Sequence, residues 1–284
     1  MHSLSTSIRL YLFVPAIVGR LVIMTVCTLA SSSSGNCTIV SHGGTHILID
    51  AGISLRRVKE RLNRTELSPA DLACVLVTHE HTDHISGIEM LIKYYKTPIF
   101  SSPGTGRAIC CVVPESEPFL NCLETGAEFE FGDFTVSSFR TPHDASESVG
   151  YTLRAGGKRL VYVTDLGCVT PEVMDSALGA DIAIIEANHD CERLRTGAYP
   201  DFLKKRILSD HGHLSNSDSG DFAARLALSG SHYIQLAHLS RENNTPELAC
   251  QAVGQSLREN GITAGKDVEL DIAPPDSPGR MYKL

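Results

Sequence analysis

The chain has 284 residues, of which 42% are hydrophobic, with 12 histidines, nine cysteines and a formal net charge of −8. That length and apolar content support one large buried core or two modest ones. The odd number of scattered cysteines, none in a C-x-x-C pair, argues against a disulfide framework and for a reducing, cytoplasmic compartment.

From the N-terminus, residues 8–23 are mostly apolar but carry Arg9, Pro15 and Arg20, which makes the stretch too short and too charged for a membrane span. A signal peptide with Arg9 as its charged region and Ala30 near the cleavage point is one reading. Cleavage there would remove the run Met24–Ala30, which reads as the first strand. Residues 1–23 are therefore expected to be an upstream extension, with Met24 as the true start and residues 24–284 as one domain; the alternative is a targeting or membrane segment. Strands are expected near 24–29, 37–42 and 45–50, with Gly43-Gly44 turning between the last two. A basic helix follows over Leu55 to Asn63.

Cys74-Val75-Leu76-Val77 reads as a buried strand, and it runs directly into Thr78-His79-Glu80-His81-Thr82-Asp83-His84. A tight loop leaving a strand aims alternate side chains at one point, so His79 and His81 share one ion. Asp83 and His84 sit one turn on, where Ile85, Ile88, Leu91 and Ile92 mark a helix, and they face a second ion. From the composition, such a hexad arises by accident in roughly one chain in a thousand; the plain alternative is a histidine-rich surface turn. A short strand at Thr97–Phe100 and a helix over Gly104 to Cys111 follow. The region 127–163 alternates short strands with glycine turns, and helix and strand then alternate to the end. Two mixed halves packed sheet to sheet with helices outside make an αββα sandwich, with metals at one edge.

A catalytic metal takes His and carboxylate ligands from several strand ends and keeps a position for water. Three later segments present an isolated His or Asp just after an apolar strand. Phe134 to Phe139 leads to Thr141-Pro142-His143-Asp144, Leu160–Val163 leads to Thr164-Asp165, and His232–Leu236 leads to Ala237-His238.

Together with Asp50, in His46-Ile47-Leu48-Ile49-Asp50-Ala51-Gly52, these motifs resemble the metallo-β-lactamase superfamily, whose pattern is an early Asp, an HxHxDH hexad, a lone His, a bridging Asp and a late His. The resemblance implies an α/β fold (α+β in some schemes), a four-layer αββα sandwich of metallo-β-lactamase type. It implies that His79, His81 and His143 hold one ion, that Asp83, His84 and His238 hold the other, and that Asp165 spans both. Asp50 then orients ligand histidines from behind. The implied cofactors are two divalent metal ions, zinc or manganese, with iron(II) as a third candidate. The segments Leu29–Cys37, Glu186–Asp190, Gly212–Asn216 and Leu236–Asn244 resemble a narrower branch, the YycJ/WalJ-like bacterial exonucleases, single-domain proteins that act on DNA from the 5′ end. The resemblance runs from Met24 to the C-terminus.

It follows that the expected activity is that of a dinuclear metal-dependent phosphodiesterase, a 5′-to-3′ DNA exonuclease in which a metal-bridging hydroxide attacks the scissile phosphate. Aspartate rather than cysteine in the bridging place disfavours a β-lactamase. Asp83 would orient or deprotonate the water. The expelled alkoxide needs a proton, which an imidazole can supply near neutral pH; His213 is the expected donor, unless it only orders its loop or the helix cap at Ser215. His189 and His211 are weaker candidates.

Expected substrate contacts are Ser34 and Asn36, in a serine loop that holds a terminal phosphate or simply turns the chain, together with Asn188 and Asn216. Tyr199, Lys204 and Arg206 would stack a terminal base and hold phosphates. The net charge of −8 is reconciled with a DNA substrate by the four positive charges of two ions and by basic clusters at Arg56–Arg64 and Lys204–Arg206, each otherwise a solvated helix face. The alternative function is a small-molecule hydrolase of the same fold, a thioesterase, lactonase or cyclic-nucleotide phosphodiesterase, which would have no use for those clusters. A non-catalytic regulatory module would be expected to lose ligands. No stable membrane association is expected.

Overall fold

The structure is a computed structural model and describes residues 22–284; the expected upstream extension lies outside them but for Val22 and Ile23. Strands β1 (Thr25–Ala30), β2 (Cys37–His42) and β3 (Thr45–Ile49) form an antiparallel meander. Gly43 closes its second turn at φ 58°, a conformation that carries no strain only without a Cβ. The chain then crosses over through α1 (Leu55–Leu62) to β4 (Cys74–Leu76). From there it passes through α2 (Thr82–Ile85) and α3 (Ile88–Tyr95) to β5 (Ile99–Ser101), and through α4 (Pro103–Val112) to β6 (Leu120–Cys122). β3 to β6 pair in parallel, which demands such crossovers. The expected strand at 97–100 starts later because Pro98 has no N–H to donate; its carbonyl accepts from Val75 N–H.

The second sheet repeats this plan. β7 (Glu128–Phe131), β8 (Phe134–Arg140), β9 (Val149–Ala155) and β10 (Lys158–Val163) are antiparallel. β11 (Ile182–Glu186), β12 (Tyr233–Ala237) and β13 (Glu269–Ile272) extend the sheet in parallel. Between them run α5 (Pro171–Ala177), α6 (Cys191–Thr196), α7 (Asp201–Ile207), α8 (Asn216–Leu228) and α9 (Pro246–Glu259). β14 (Met281–Lys283) returns to pair with β1, so the two sheets run β14-β1-β2-β3-β4-β5-β6 and β13-β12-β11-β10-β9-β8-β7.

Strand periodicity explains the layers. In β10, Leu160 and Tyr162 face the other sheet and pack with Val26, Ile47, Ile49 and Leu76. Val161 and Val163 face outward onto Val173, Phe222 and Val253 of α5, α8 and α9. On the far side, Leu48 and Val75 pack against Val58 of α1, Leu91 of α3 and Ile109 of α4. Each large buried side chain contributes about 1.5–3 kcal/mol relative to exposure, and this shared core fixes one sheet against the other. The outcome is the expected αββα sandwich. The C-terminal ends of β3, β4, β10, β11 and β12 meet along one edge, the usual place for a site in a parallel arrangement.

Candidate metal centre

The hexad is held from behind before any ligand is considered. Asp50, just past β3, is fully buried and accepts from Thr78 N–H at 2.8 Å, from the Thr78 hydroxyl and from His84 Nδ1 at 2.7 Å. Burial raises its pKa. Nδ1 of His84 is thereby fixed as the donor, leaving Nε2 to face the site. Asn36 N–H donates to the Asp83 carbonyl, and the Asn36 carbonyl accepts from Gly52 N–H, both at 2.8 Å. Gly52 lies so close that a Cβ would stand 1.6 Å from the Asp83 carbonyl oxygen.

Around this frame the ligand-type atoms converge. Those of His79, His81 and His143 lie within 4.8 Å of one another, as do those of Asp83, His84 and His238, and those of His79, His84 and Asp165. His143 Nε2 is 3.4 Å from His81 Nδ1, and its own Nδ1 is 3.1 Å from the Gly212 carbonyl. Asp165 lies between the groups, with Oδ2 3.4 Å from His84 Nε2 and Oδ1 4.0 Å from His143 Nε2. His238 Nε2 is 3.4 Å from Asp83 Oδ2. All seven residues expected as ligands are therefore together.

The arrangement fits divalent cations. His79 Nε2, Asp165 Oδ2 and His238 Nε2 are buried without a hydrogen-bond partner, a cost that a chain bears where something else binds. A mixed set of imidazoles and carboxylates suits zinc, manganese or iron(II). The electrostatics agree. Burial opposes charge on His84 and His238, yet the carboxylates around each hold its pKa well above the ordinary imidazole value. His79 and His143 are pushed down by burial. Asp50, Asp165 and His238 all have positive φ, at 58°, 59° and 56°, so three of the strand ends that carry the cluster are in the left-handed region.

One residue of the site has no role in the sequence reading beyond opening the segment Glu186–Asp190. Glu186, the last residue of β11, is fully buried among donors: Leu166 N–H and Leu214 N–H at 3.1 Å each, His213 Nδ1 at 2.7 Å and His238 Nδ1 at 2.8 Å. Burial alone would raise its pKa, but the two histidines hold it well below the usual carboxylate range. It has the signature that picked out Asp165, a lone carboxylate ending an apolar strand; a search restricted to His and Asp passes over it.

His213 is half-buried at the cluster, its ring 5.1 Å from that of His143 and 5.2 Å from that of His238. Its Nδ1 is 3.8 Å from Asp165 Oδ1 as well as bonded to Glu186. The cap of α8 does not use it, since Ser215 accepts from Asp218 N–H. Burial pushes the pKa of His189 down to about 4, which leaves it neutral at pH 7, and His211 is exposed.

The expected substrate contacts divide. Asn36, Asn188 and Asn216 are buried, and their amides are committed to the frame. Asn36 Nδ2 donates to the Ser32 carbonyl and lies 3.3 Å from Asp83 Oδ2, Asn188 donates to the His238 carbonyl, and Asn216 exchanges hydrogen bonds with Asn244. Amides so bonded hold strand ends and loops in place. Ser34 is exposed, while Ser31 Oγ accepts from His238 N–H at 2.7 Å. Arg206 pairs with Asp144, whose Oδ1 is 3.4 Å from His143 Nε2, so it stands at the rim. Lys204 donates to the Arg195 carbonyl, and Tyr199 is half-buried. The first basic cluster is partly structural: Arg61 is buried and donates to the Leu29 carbonyl, and Arg57 pairs with Asp276. Among the described residues no helix is long and apolar enough to cross a membrane.

Comparison with known proteins places this geometry among relatives. A family model described as the beta-lactamase superfamily domain matches residues 45–238. The exodeoxyribonuclease YycJ of Bacillus anthracis is 36% identical over 256 residues, covering 89% of this chain and 96% of that one. The exodeoxyribonuclease WalJ of Streptococcus pneumoniae is 35% identical over 257 residues, covering 88% and 94%. The crystal structure of the metallo-beta-lactamase fold protein YhfI from Bacillus subtilis shares the fold with a TM-score of 0.70 at 16% identity, covering 93% of this chain and all of that one.

Proposed function

Because the chain belongs to the beta-lactamase superfamily, we propose that its centre binds two divalent ions, zinc or manganese, and that it is a 5′-to-3′ DNA exonuclease. The ions' ligands would be His79, His81 and His143 on one side, Asp83, His84 and His238 on the other, with Asp165 between. The observation that carries a phosphodiesterase reading is His213, a half-buried imidazole beside the cluster and not among those seven, held by a buried carboxylate. The near full-length likeness to two exodeoxyribonucleases supports DNA as the substrate.

Bound divalent ions would supply Lewis acidity, lowering the pKa of a water and neutralising phosphate oxygens. The chain's residues do the rest. Asp83, half-buried beside His84 and His238, would orient or deprotonate the attacking water. As the new P–O bond forms, the bond to the leaving oxygen breaks, and that oxygen needs a proton. His213 gives it from Nε2, because Glu186 accepts from Nδ1 and holds the ring in place. Arg206 at the rim and Lys204, two residues before it, hold backbone phosphates, and Tyr199 packs a terminal base. Ser34 reaches the terminal phosphate from the serine loop.

The test is incubation with end-labelled duplex DNA, single-stranded DNA and RNA in Mn²⁺ or Zn²⁺. Mononucleotides released from 5′ ends of DNA are expected. No cleavage, alongside brisk thioester or lactone hydrolysis, would reject the reading in favour of a small-molecule hydrolase.

A further inference from the structure

Helix α7 has the wrong residue on its outer face for a simple solvated helix. Leu203 and Ile207, four apart, turn inward, and Ile207 is buried. Phe202 points the other way and is 74% exposed, the most exposed large hydrophobic side chain among the described residues. Lys205 and Arg206 follow at i+3 and i+4, so all three share one face. The hairpin of α6 and α7, residues 190–206, carries five cations against three carboxylates in a chain of net charge −8. Arg206 ties this face to the metal cluster through Asp144, which neighbours His143. That ion pair is half-exposed and weak, so a phosphate can compete for the guanidinium.

We propose that the outer face of α7 receives the unpaired end of a nucleic-acid strand, with Phe202 stacking on a base and Lys205 and Arg206 holding the flanking phosphates. The consequence is a preference for single-stranded or frayed ends over blunt duplex. An exposed phenyl ring can stack only on a base whose face is free, and in a duplex those faces are covered by neighbouring base pairs. The cations supply the complementary charge, and Arg206 sets the distance, since Phe202 lies one helical turn along α7 from the residue that reaches the rim. This inference rests on the nuclease reading above.

The experiment compares Phe202→Ala and Phe202→Trp with wild type on single-stranded DNA, 5′-tailed duplex and blunt duplex, with Mn²⁺ present. For Phe202→Ala, KM on the unpaired ends is expected to rise roughly tenfold, with kcat held and the melting temperature unmoved. KM on blunt ends should change less than twofold, and Phe202→Trp should restore tight use of unpaired ends. Unchanged KM on single strands in Phe202→Ala, or an equal rise on blunt ends, would overturn the inference and leave the nuclease reading standing. Loss of self-association in sedimentation with KM unmoved would likewise overturn it and assign the face to a second copy of the chain. Absence of wild-type cleavage on every substrate would reject the nuclease reading, and this inference with it.

Discussion

Glu186→Gln would keep the shape of a fully buried side chain and remove its charge. All four of its partners are donors: two backbone N–H groups at 3.1 Å and two imidazole Nδ1 atoms at 2.7 and 2.8 Å. Whichever way the amide is turned, its NH₂ must face two of them. Facing Leu166 and Leu214, it leaves two buried N–H groups unsatisfied at about 1–3 kcal/mol each. For a domain of this size, a loss of about 2–6 kcal/mol lowers Tm by roughly 5–20 °C. Facing the histidines, it drives their protons from Nδ1 to Nε2, which blocks the atom that His238 presents to the site. The expected result is lower Tm or metal affinity reduced by about 10- to 100-fold, with kcat falling in either case. Differential scanning calorimetry, metal analysis and steady-state cleavage read these separately. Because the folded protein holds Glu186 ionised below its ordinary value of 4.5, its contribution is full above about pH 4.5 and fades as pH falls through the folded value. The stability gap between wild type and variant should therefore narrow in acid. A variant with wild-type Tm, metal content and kcat would refute the assignment of Glu186.

Asp83→Ala or His81→Ala should abolish nuclease activity, whereas His213→Ala should slow cleavage about 10²- to 10⁴-fold with metal content intact by atomic emission; equal turnover would remove His213 from the mechanism. In the metal-free protein His84 and His238 hold protons well above the ordinary imidazole range, so a cation must displace them. Metal affinity should rise with pH by about tenfold per unit for each proton displaced, and a flat chelator-competition profile between pH 6 and 8 would contradict this. Gly52→Ala should cost about 3 kcal/mol or more, since its Cβ would meet the Asp83 carbonyl oxygen at 1.6 Å and Asn36 N at 2.6 Å; it should also lose metal, and a wild-type melt would show that the loop is not pinned there.

Legibility in the sequence followed from how local each signal is. The hexad, His143, Asp165 and His238 could be read because each is a polar residue following an apolar run, and a strand end fixes where such a side chain points. Glu186 carries the same local mark and was missed through the residue types searched. The hydrogen bonds of Asn36, Asn188 and Asn216 could not be read for a different reason. A loop asparagine has the same neighbours in sequence whether its amide faces solvent or spans two distant carbonyls, and here the partners lie 47 residues away for Asn36 with Asp83 and 50 for Asn188 with His238. The pairing of β1 with β14 is likewise set by packing across the whole chain. Exposure of Phe202 could not be read either, since an isolated phenylalanine near Leu203 and Ile207 looks like core until the helix phase is known.

The left-handed backbone at Asp50, Asp165 and His238 bears on how this protein can be engineered. Such a conformation costs an ordinary residue about 1–2 kcal/mol, and without a cation the Asp165 carboxylate answers only the charged rings of His84 and His238. With manganese bound it answers the ion as well, so a directed-evolution screen for heat resistance would tolerate loss of Asp165 more readily in chelator than in manganese. Thermal selection of this enzyme therefore has to be run with metal present if the selected variants are to remain catalysts.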